Sequence, residues 1–163
     1  MNEDNQKTID HPRMARLLII AHAPLASALA EVAAHTYPDC AAQLRILDVP
    51  PDMTPEEVQS RASALLLSAE SQDTLILTDV FGATPCNAAL RLADGIHVKV
   101  LAGINVPMLW RALCYLHEPL DVLLARAIAG ATQGVMQAST SRPQQQALSA
   151  GSEDAKDKRH HHQ

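Results

Sequence analysis

Two short runs of aliphatic residues, each followed by a polar side chain, constrain the fold of this chain most. Residues 16–21 (RLLIIA) lead into His22, and residues 73–78 (DTLILT) lead into Asp79. Continuous Leu/Ile runs of this kind are typical of strands buried on both faces of a parallel sheet. Because the carboxyl ends of parallel strands meet at one edge, we predict that His22 and Asp79 lie together there.

Helices are predicted between the strands. A helix with Pro24 at its first position is expected to end before Pro38. A capping box, Thr54-Pro55-Glu56-Glu57, opens the next helix, and a third begins at Thr84-Pro85, with Thr84 as its cap. The inward residues expected are Leu25, Leu29, Val32 and Thr36 in the first helix, and Val58, Ala62, Leu65, Leu66 and Ala69 in the second.

Two further strands and two further helices complete the predicted domain. Residues 43–49 form a short strand, with Leu44, Ile46 and Leu47 as candidates for burial, and residues 96–100 alternate as expected of a strand near an edge, with His97 on a sheet face. Helices follow near Asn105 and beyond Pro119. The pattern predicts an α/β fold: an open, mostly parallel, doubly wound sheet of four or five strands flanked by helices.

Composition and missing motifs exclude several classes of function. The net charge is −5 and aromatic residues make up 2% of the chain, which argues against nucleic-acid partners. The turn after the first strand has no glycine for a dinucleotide, and no GxxxxGK[ST] loop is present. The three cysteines lack metal-ligand spacing and suit reduced thiols. We predict no metal and no cofactor.

The two ends of the chain are expected to lie outside the folded domain, which we place at residues 15–136. Residues 1–14 and 137–163 are polar and lack periodicity, so both are predicted to be disordered. His160, His161 and His162 are interpreted as a solvated end or a cloning remnant. The first apolar run is too short to cross a bilayer and is broken by His22 and Pro24, so we expect a cytoplasmic protein without membrane insertion.

The predicted site combines an imidazole with a carboxylate. A carboxylate at Asp79 that accepts one ring N–H of His22 would leave the other nitrogen as a nucleophile. No nucleophile elbow, second carboxylate or further metal ligand accompanies the pair. The helices that begin near Ala23 and Thr84 are expected to direct free N–H groups at the same edge, which suits a phosphoryl group. His35 and His117 are interpreted as helix-end residues.

Three further patterns stand at residues 18–22 (LIIAH), 77–89 (LTDVFGATPCNAA) and 102–109 (AGINVPML). Together these segments resemble the mannose-family enzyme IIA domain of the bacterial phosphoenolpyruvate-dependent sugar phosphotransferase system. The resemblance covers about residues 15–136. It implies a homodimeric phosphotransferase component in which His22 accepts a phosphoryl group from the histidine-containing phosphocarrier protein and passes it to a IIB-type partner.

The resemblance also assigns roles to residues around His22. It implies that Asp79 orients the imidazole and that Thr84 stands near the phosphoryl group, where the family usually has a serine. We predict that Ala23, Gly82, Ala83 and Thr84 line the phosphoryl group. Ala23 replaces the usual glycine after the histidine, and Ala83 replaces a second glycine. A polar tail stands in place of a fused IIB domain.

Other functions remain open at the level of sequence. The same residues would suit a regulatory module whose partners change when His22 is phosphorylated, without sugar transport. A flavodoxin-like binder of a small molecule is a third possibility, although Phe81 is the only aromatic residue placed to stack on a flavin.

Overall fold

The computed structural model describes residues 15–67 and 73–138, and the predictions for residues 1–14, for Ala69 and for residues 139–163 lie outside that part of the chain. Strands and helices alternate, as expected. The elements are β1 (Arg16–His22), α1 (Leu25–Thr36), α2 (Pro38–Ala41), β2 (Arg45–Val49), α3 (Pro55–Leu67), β3 (Thr74–Thr78), α4 (Thr84–Leu90), β4 (Val98–Ala102), α5 (Val106–Cys114) and α6 (Leu120–Gln133).

The sheet has four strands in the order β2-β1-β3-β4, and every pairing is parallel. The predicted α/β class is therefore confirmed. β1 and β3 lie at the centre, and all five side chains of β3 are buried. β4 is an edge strand, as predicted, but its side chains are all half-buried rather than alternating between a buried and a wetter face. This order places the carboxyl ends of β1 and β3 side by side.

Helices cover both faces of the sheet, because alternate side chains of the central strands enter two different cores. Leu17, Ile19 and Ala21 of β1 face α1, α5 and α6, whereas Leu18 and Ile20 face α3 and α4. Each fully buried Leu or Ile contributes about 1.5–3 kcal/mol of transfer free energy. Two cores of this kind hold β1 and β3 rigidly between them.

The predicted buried face of α1 is wrong in three of its four residues. Ala26, Leu29 and Ala33 are buried, whereas Leu25 and Val32 are 37% and 39% exposed and Thr36 is also exposed. The helix begins at Leu25, one residue after Pro24, and turns its small residues toward the sheet. Alanines allow a close approach that the larger aliphatic residues would prevent.

The predicted bounds and faces of two strands also need correction. In β2 the buried side chains are Leu47 and Val49, and Ile46 is 37% exposed. β4 begins at Val98 rather than at residue 96, so His97 is not on a sheet face. The Asp94 carboxylate accepts hydrogen bonds from the backbone N–H groups of residues 96, 97 and 98, which holds this segment in a loop.

The starts of α3 and α5 follow the sequence, whereas those of α1 and α4 differ. Pro24, predicted as the first residue of α1, is its N-cap. The capping box is confirmed, since Thr54 N–H donates to Glu57 Oε2 at 2.9 Å and Glu57 N–H to Thr54 Oγ1 at 3.3 Å. The Asn105 side chain caps α5 by accepting from Met108 N–H at 2.8 Å. Thr84, predicted as a cap, is instead the first residue of α4, and Ala83 is the N-cap. Within residues 15–67 and 73–138, no helix combines the length and apolar character needed to cross a membrane.

Candidate functional site at the carboxyl edge of the sheet

His22 and Asp79 are in direct contact at the carboxyl edge of the sheet. His22 is the last residue of β1, and Asp79 follows β3 directly. The imidazole Nδ1 lies 2.7 Å from Asp79 Oδ2, and the backbone N–H of His22 donates to the same oxygen at 2.9 Å. The predicted meeting of the two side chains is confirmed.

The Asp79 carboxyl group is held in its ionised form. Its side chain is 9% exposed, and burial alone would raise its pKa. Hydrogen bonds from the backbone N–H groups of His22 and Val80 and from the His22 imidazole outweigh burial, so the pKa of Asp79 is lowered from its usual value. The N–H of Val80 donates to Oδ1 at 2.7 Å, so both carboxylate oxygens are occupied.

The ionised carboxylate selects one tautomer of His22. A carboxylate can only accept hydrogen bonds, so the proton between the two groups lies on Nδ1 of the imidazole. Nε2 then carries the lone pair. The His22 side chain is 52% exposed. The arrangement therefore offers a nucleophilic nitrogen to a group that approaches from solvent.

The backbone that carries Asp79 is fixed by the loop after β4. Gly103 N–H donates to the Asp79 carbonyl at 2.8 Å, and Ile104 N–H donates to the Thr78 carbonyl at 3.0 Å. Gly103 adopts φ +89°, a left-handed conformation that favours glycine. The sequence predicted a helix start near Asn105 and a resemblance in residues 102–109, but no contact of this segment with Asp79. Its support of Asp79 becomes visible once β3 and β4 are known to be neighbours.

The turn between β1 and α1 is tied to β2. Ala23 N–H donates to the Val49 carbonyl at 3.0 Å. The Asp48 carboxylate oxygen Oδ1 accepts from Ala26 N–H at 2.9 Å and from Ser27 N–H at 3.2 Å. These two N–H groups of α1 are therefore occupied, and the expectation that they would be free is wrong for them. The peptide bond between Ala23 and Pro24 is cis.

The turn after Asp79 leads directly into α4. Gly82 adopts φ +85°, and its carbonyl accepts from Asn87 Nδ2 at 2.8 Å. Ala83 N–H donates to the Val80 carbonyl at 3.2 Å. Neither the Gly82 N–H nor the Thr84 hydroxyl forms a hydrogen bond to another described residue. Gly82 and Thr84 are therefore the two of the four predicted phosphoryl-binding residues whose hydrogen-bond donors, the N–H and the hydroxyl just named, are available to a ligand.

Large apolar side chains are exposed to solvent near His22 and Asp79, the pair that we call the dyad. Val80 is 60% exposed and Phe81 is 79% exposed, although each follows a buried strand. Leu25, three residues after His22, is 37% exposed. Exposed large apolar residues beside a reactive group are typical of a surface that another protein covers.

A second His–Asp pair lies at the opposite edge of the sheet. His97 Nδ1 is 2.8 Å from Asp73 Oδ1, and the two side chains are 65% and 26% exposed. No pattern in the sequence predicted this contact. His35 and His117 were both predicted at helix ends. His35 lies in the last turn of α1, as expected. His117 lies beyond the end of α5, and its Nε2 is 3.7 Å from Glu118 Oε1.

Comparison with known proteins identifies relatives of this chain. Residues 16–127 match the EIIA-man family, described as the fructose IIA component of the phosphotransferase system. The mannose-specific EIIAB component of Escherichia coli (strain K12) is 32% identical over 93 residues, which are 55% of this chain and 29% of that protein. The chain thus spans less than a third of that relative's length.

Solved structures share the fold. The mannose/sorbose specific IIA subunit from Enterococcus faecalis superposes with a TM-score of 0.72 at 25% identity and covers 78% of this chain and 97% of that one. The phosphotransferase component EIIA from Streptococcus agalactiae gives a TM-score of 0.70 at 22% identity, with 76% and 97% covered. The four-stranded parallel architecture is thus that of solved IIA proteins.

Proposed function

Because the chain belongs to the EIIA-man family of phosphotransferase-system components, we propose that His22 is the residue that carries the phosphoryl group. The chain accepts this group from the histidine-containing phosphocarrier protein and passes it to a IIB-type partner. The observation that carries the proposal is the 2.7 Å contact between His22 Nδ1 and Asp79 Oδ2, which leaves Nε2 free on a half-exposed ring.

The proposed step is a direct exchange of one N–P bond for another. The Nε2 lone pair of His22 attacks the phosphorus of the donor's phosphohistidine, and a new N–P bond forms. The donor's N–P bond breaks, and its electron pair returns to the donor imidazole as a lone pair. The proton on His22 Nδ1 stays in place. The His22 ring gains positive charge as its N–P bond forms, and the Asp79 carboxylate stabilises that charge.

Two groups near the dyad are proposed to bind the phosphoryl oxygens. Gly82 N–H and the Thr84 hydroxyl are both available as donors, and the left-handed backbone at Gly82 allows a close approach. Ala23 lies in the turn between β1 and α1 and Ala83 in the turn before α4, but their N–H groups already donate to the carbonyls of Val49 and Val80. Their proposed contribution is therefore the shape of the turn rather than a hydrogen bond.

The donor and the acceptor are proposed to dock on the exposed apolar side chains of Leu25, Val80 and Phe81, which follow His22 and Asp79 closely in the chain. Burial of these side chains would exclude water from the N–P bond during transfer. Docking also supplies the in-line alignment that phosphoryl transfer requires. The proposal includes a cytoplasmic homodimer, and light scattering of the purified protein tests the dimer.

Reconstitution of the relay tests the proposal. The chain is incubated with phosphoenolpyruvate, the general relay enzyme and the phosphocarrier protein, and its intact mass is measured. Wild type and His97→Ala should each gain one phosphoryl group in an acid-labile, base-stable linkage, whereas His22→Ala should gain none. A phosphoryl group on His22→Ala would contradict the proposal. Addition of a IIB protein then separates an onward carrier, which loses the group, from a regulatory module, which retains it.

A further inference from the structure

Asp48 belongs to neither the dyad nor the predicted phosphoryl site, yet it makes two contacts with the first turn of α1. It lies on β2 opposite Ala21, the residue before His22, so the two Cα atoms are about 5 Å apart. Its Oδ1 accepts from the N–H groups of Ala26 and Ser27 at 2.9 and 3.2 Å. The Asp48 side chain thus caps the amino end of α1 from the neighbouring strand β2, as an N-cap side chain usually does from within its own segment.

These contacts hold the turn that carries His22. Ser27 Oγ also donates to the Pro24 carbonyl at 3.0 Å, and Ala23 N–H donates to Val49. The backbone between His22 and α1 is therefore fixed from β2 on one side and from the helix on the other. Removal of the Asp48 acceptor would leave two N–H groups without their partner and would loosen this turn.

The charge of Asp48 has a separate effect. The amino end of a helix carries positive partial charge, which would stabilise a phosphoryl group on the preceding histidine. Asp48 places a carboxylate on that end, where it occupies N–H groups and offsets the positive charge. A doubly negative phosphoryl group on His22 would also be repelled by this carboxylate, which is partly buried and so is incompletely screened.

We infer that Asp48 is a positioning residue for His22 whose negative charge makes the phosphorylated chain a better phosphoryl donor. The inference rests on the proposed function. It assigns two separable properties to one side chain: the acceptor oxygen fixes the turn, and the charge destabilises the phosphorylated state relative to the free one. A carrier needs both, because it must accept the group quickly and must not retain it.

Three variants separate the two properties. Asp48→Asn keeps an acceptor oxygen and removes the charge, Asp48→Ala removes both, and Asp39→Asn removes an exposed carboxylate from α2, beyond the far end of α1. The measurements are the equilibrium constant for phosphoryl transfer from the phosphocarrier protein and the rate of approach to equilibrium. Circular dichroism verifies that each variant is folded.

Asp48→Asn should shift the equilibrium toward the phosphorylated chain by about two- to fivefold while keeping a rate near that of wild type. Asp39→Asn should leave the equilibrium within about 1.5-fold, because surface charges beyond a Debye length are screened. Asp48→Ala should slow transfer, whereas Asp48→Asn should transfer at nearly the wild-type rate. An unchanged equilibrium in Asp48→Asn, or a wild-type rate in Asp48→Ala, would overturn the inference. If wild type itself accepts no phosphoryl group, the proposed function fails first.

Discussion

The two ends of β3 carry similar pairs of side chains in different surroundings. Asp73 precedes the strand and contacts His97, whereas Asp79 follows it and contacts His22, with Nδ1–Oδ distances of 2.8 and 2.7 Å. The His97 pair is more exposed in both residues. Contact between an imidazole and a carboxylate therefore does not by itself define a functional site in this chain.

What distinguishes the His22 pair is that two backbone N–H groups donate to its carboxylate, whereas among the described residues only the His97 ring is hydrogen-bonded to the Asp73 carboxylate. The Asp79 carboxylate accepts from the N–H groups of His22 and Val80 as well as from the ring, and its carbonyl accepts from Gly103. The backbone at His97 is instead organised by Asp94, a residue outside the pair. A fixed carboxylate keeps one tautomer in place, which is the property that covalent catalysis by histidine requires.

The largest expected effect is on the rate of phosphoryl transfer, which should depend strongly on Asp79 and little on Asp73. Asp79→Asn should slow phosphorylation of the chain by about 10²–10⁴-fold, because an amide no longer enforces the Nδ1–H tautomer or stabilises the charged ring. Asp73→Asn should leave the rate within about twofold, because surface changes away from the site are nearly neutral. Rapid-quench measurements with the phosphorylated phosphocarrier protein report both rates. Equal slowing in the two variants would remove the distinction between the pairs.

The next effect concerns stability and its dependence on pH. Asp79→Asn should lower the free energy of unfolding by about 1.5–3 kcal/mol near neutral pH, because it removes hydrogen bonds to a charged group. The pKa of Asp79 is lower in the folded state, so this contribution is present above the usual aspartate pKa and is lost as pH falls through the folded value.

Urea denaturation of wild type and Asp79→Asn between neutral pH and about pH 3 checks the sign. The difference in unfolding free energy should shrink below about pH 4, where the unfolded chain takes up the proton. Asp73→Asn should cost less than about 1 kcal/mol throughout, as is usual for exposed ion pairs. A difference for Asp79→Asn that grows on acidification would contradict the lowered pKa.

Exposed apolar residues near the two pairs allow a test of docking. Phe81, beside the His22 pair, is 79% exposed, and Ile96, beside His97, is 70% exposed. Phe81→Ala should raise the KM for the phosphocarrier protein by about tenfold, a typical loss for an aromatic interface residue, and should change kcat little. Ile96→Ala should leave KM unchanged. A KM that rises for Ile96→Ala alone would place the docking surface beside His97, at the opposite edge of the sheet, and would contradict the proposal.

The smallest expected effect compares two glycines. Gly103 and Gly95 have φ +89° and +75°, and a Cβ at either would meet nothing within 4 Å. The free energy of unfolding of each Ala variant should therefore fall by about 1–2 kcal/mol, because of the left-handed backbone alone. Gly103→Ala should also slow transfer severalfold, because relaxation of the strained left-handed backbone would move the residue 103 N–H away from the Asp79 carbonyl. Gly95→Ala should keep the wild-type rate. Equal rates in both variants would show that the backbone conformation at Gly103 does not affect transfer.

The central part of the fold and the dyad could be predicted because they depend on local patterns. The aliphatic runs specify β1 and β3, and parallel pairing of those strands brings His22 and Asp79 to one edge. The contacts that could not be predicted depend on how a helix or a loop is placed against the end of a strand, not on the two aliphatic runs. Asp48 and Ala26 are 22 residues apart, and Asp73 and His97 are 24 apart. A polar residue at a strand end signals that it can accept a hydrogen bond, but not which helix or histidine supplies the donor.

The buried face of α1 shows a different limit. Both possible stripes of α1 have helical spacing, and hydrophobicity favoured the one with Leu25 and Val32. Packing against the sheet instead selected Ala26 and Ala33, because the distance between helix and sheet is a tertiary property that one segment does not encode. Helix starts set by short-range hydrogen bonds, such as that of Thr54 and Glu57, were predictable for the opposite reason.

The most direct test of the account is to identify the nitrogen that is phosphorylated. Long-range ¹H–¹⁵N correlation spectra of the ¹⁵N-labelled chain, recorded before and after phosphorylation by the relay, report the state of each imidazole nitrogen. The account predicts a His22 ring protonated on Nδ1 in both states, with phosphorus on Nε2 after the reaction and an unmodified His97. Phosphorus on Nδ1 of His22, or on His97, would contradict it.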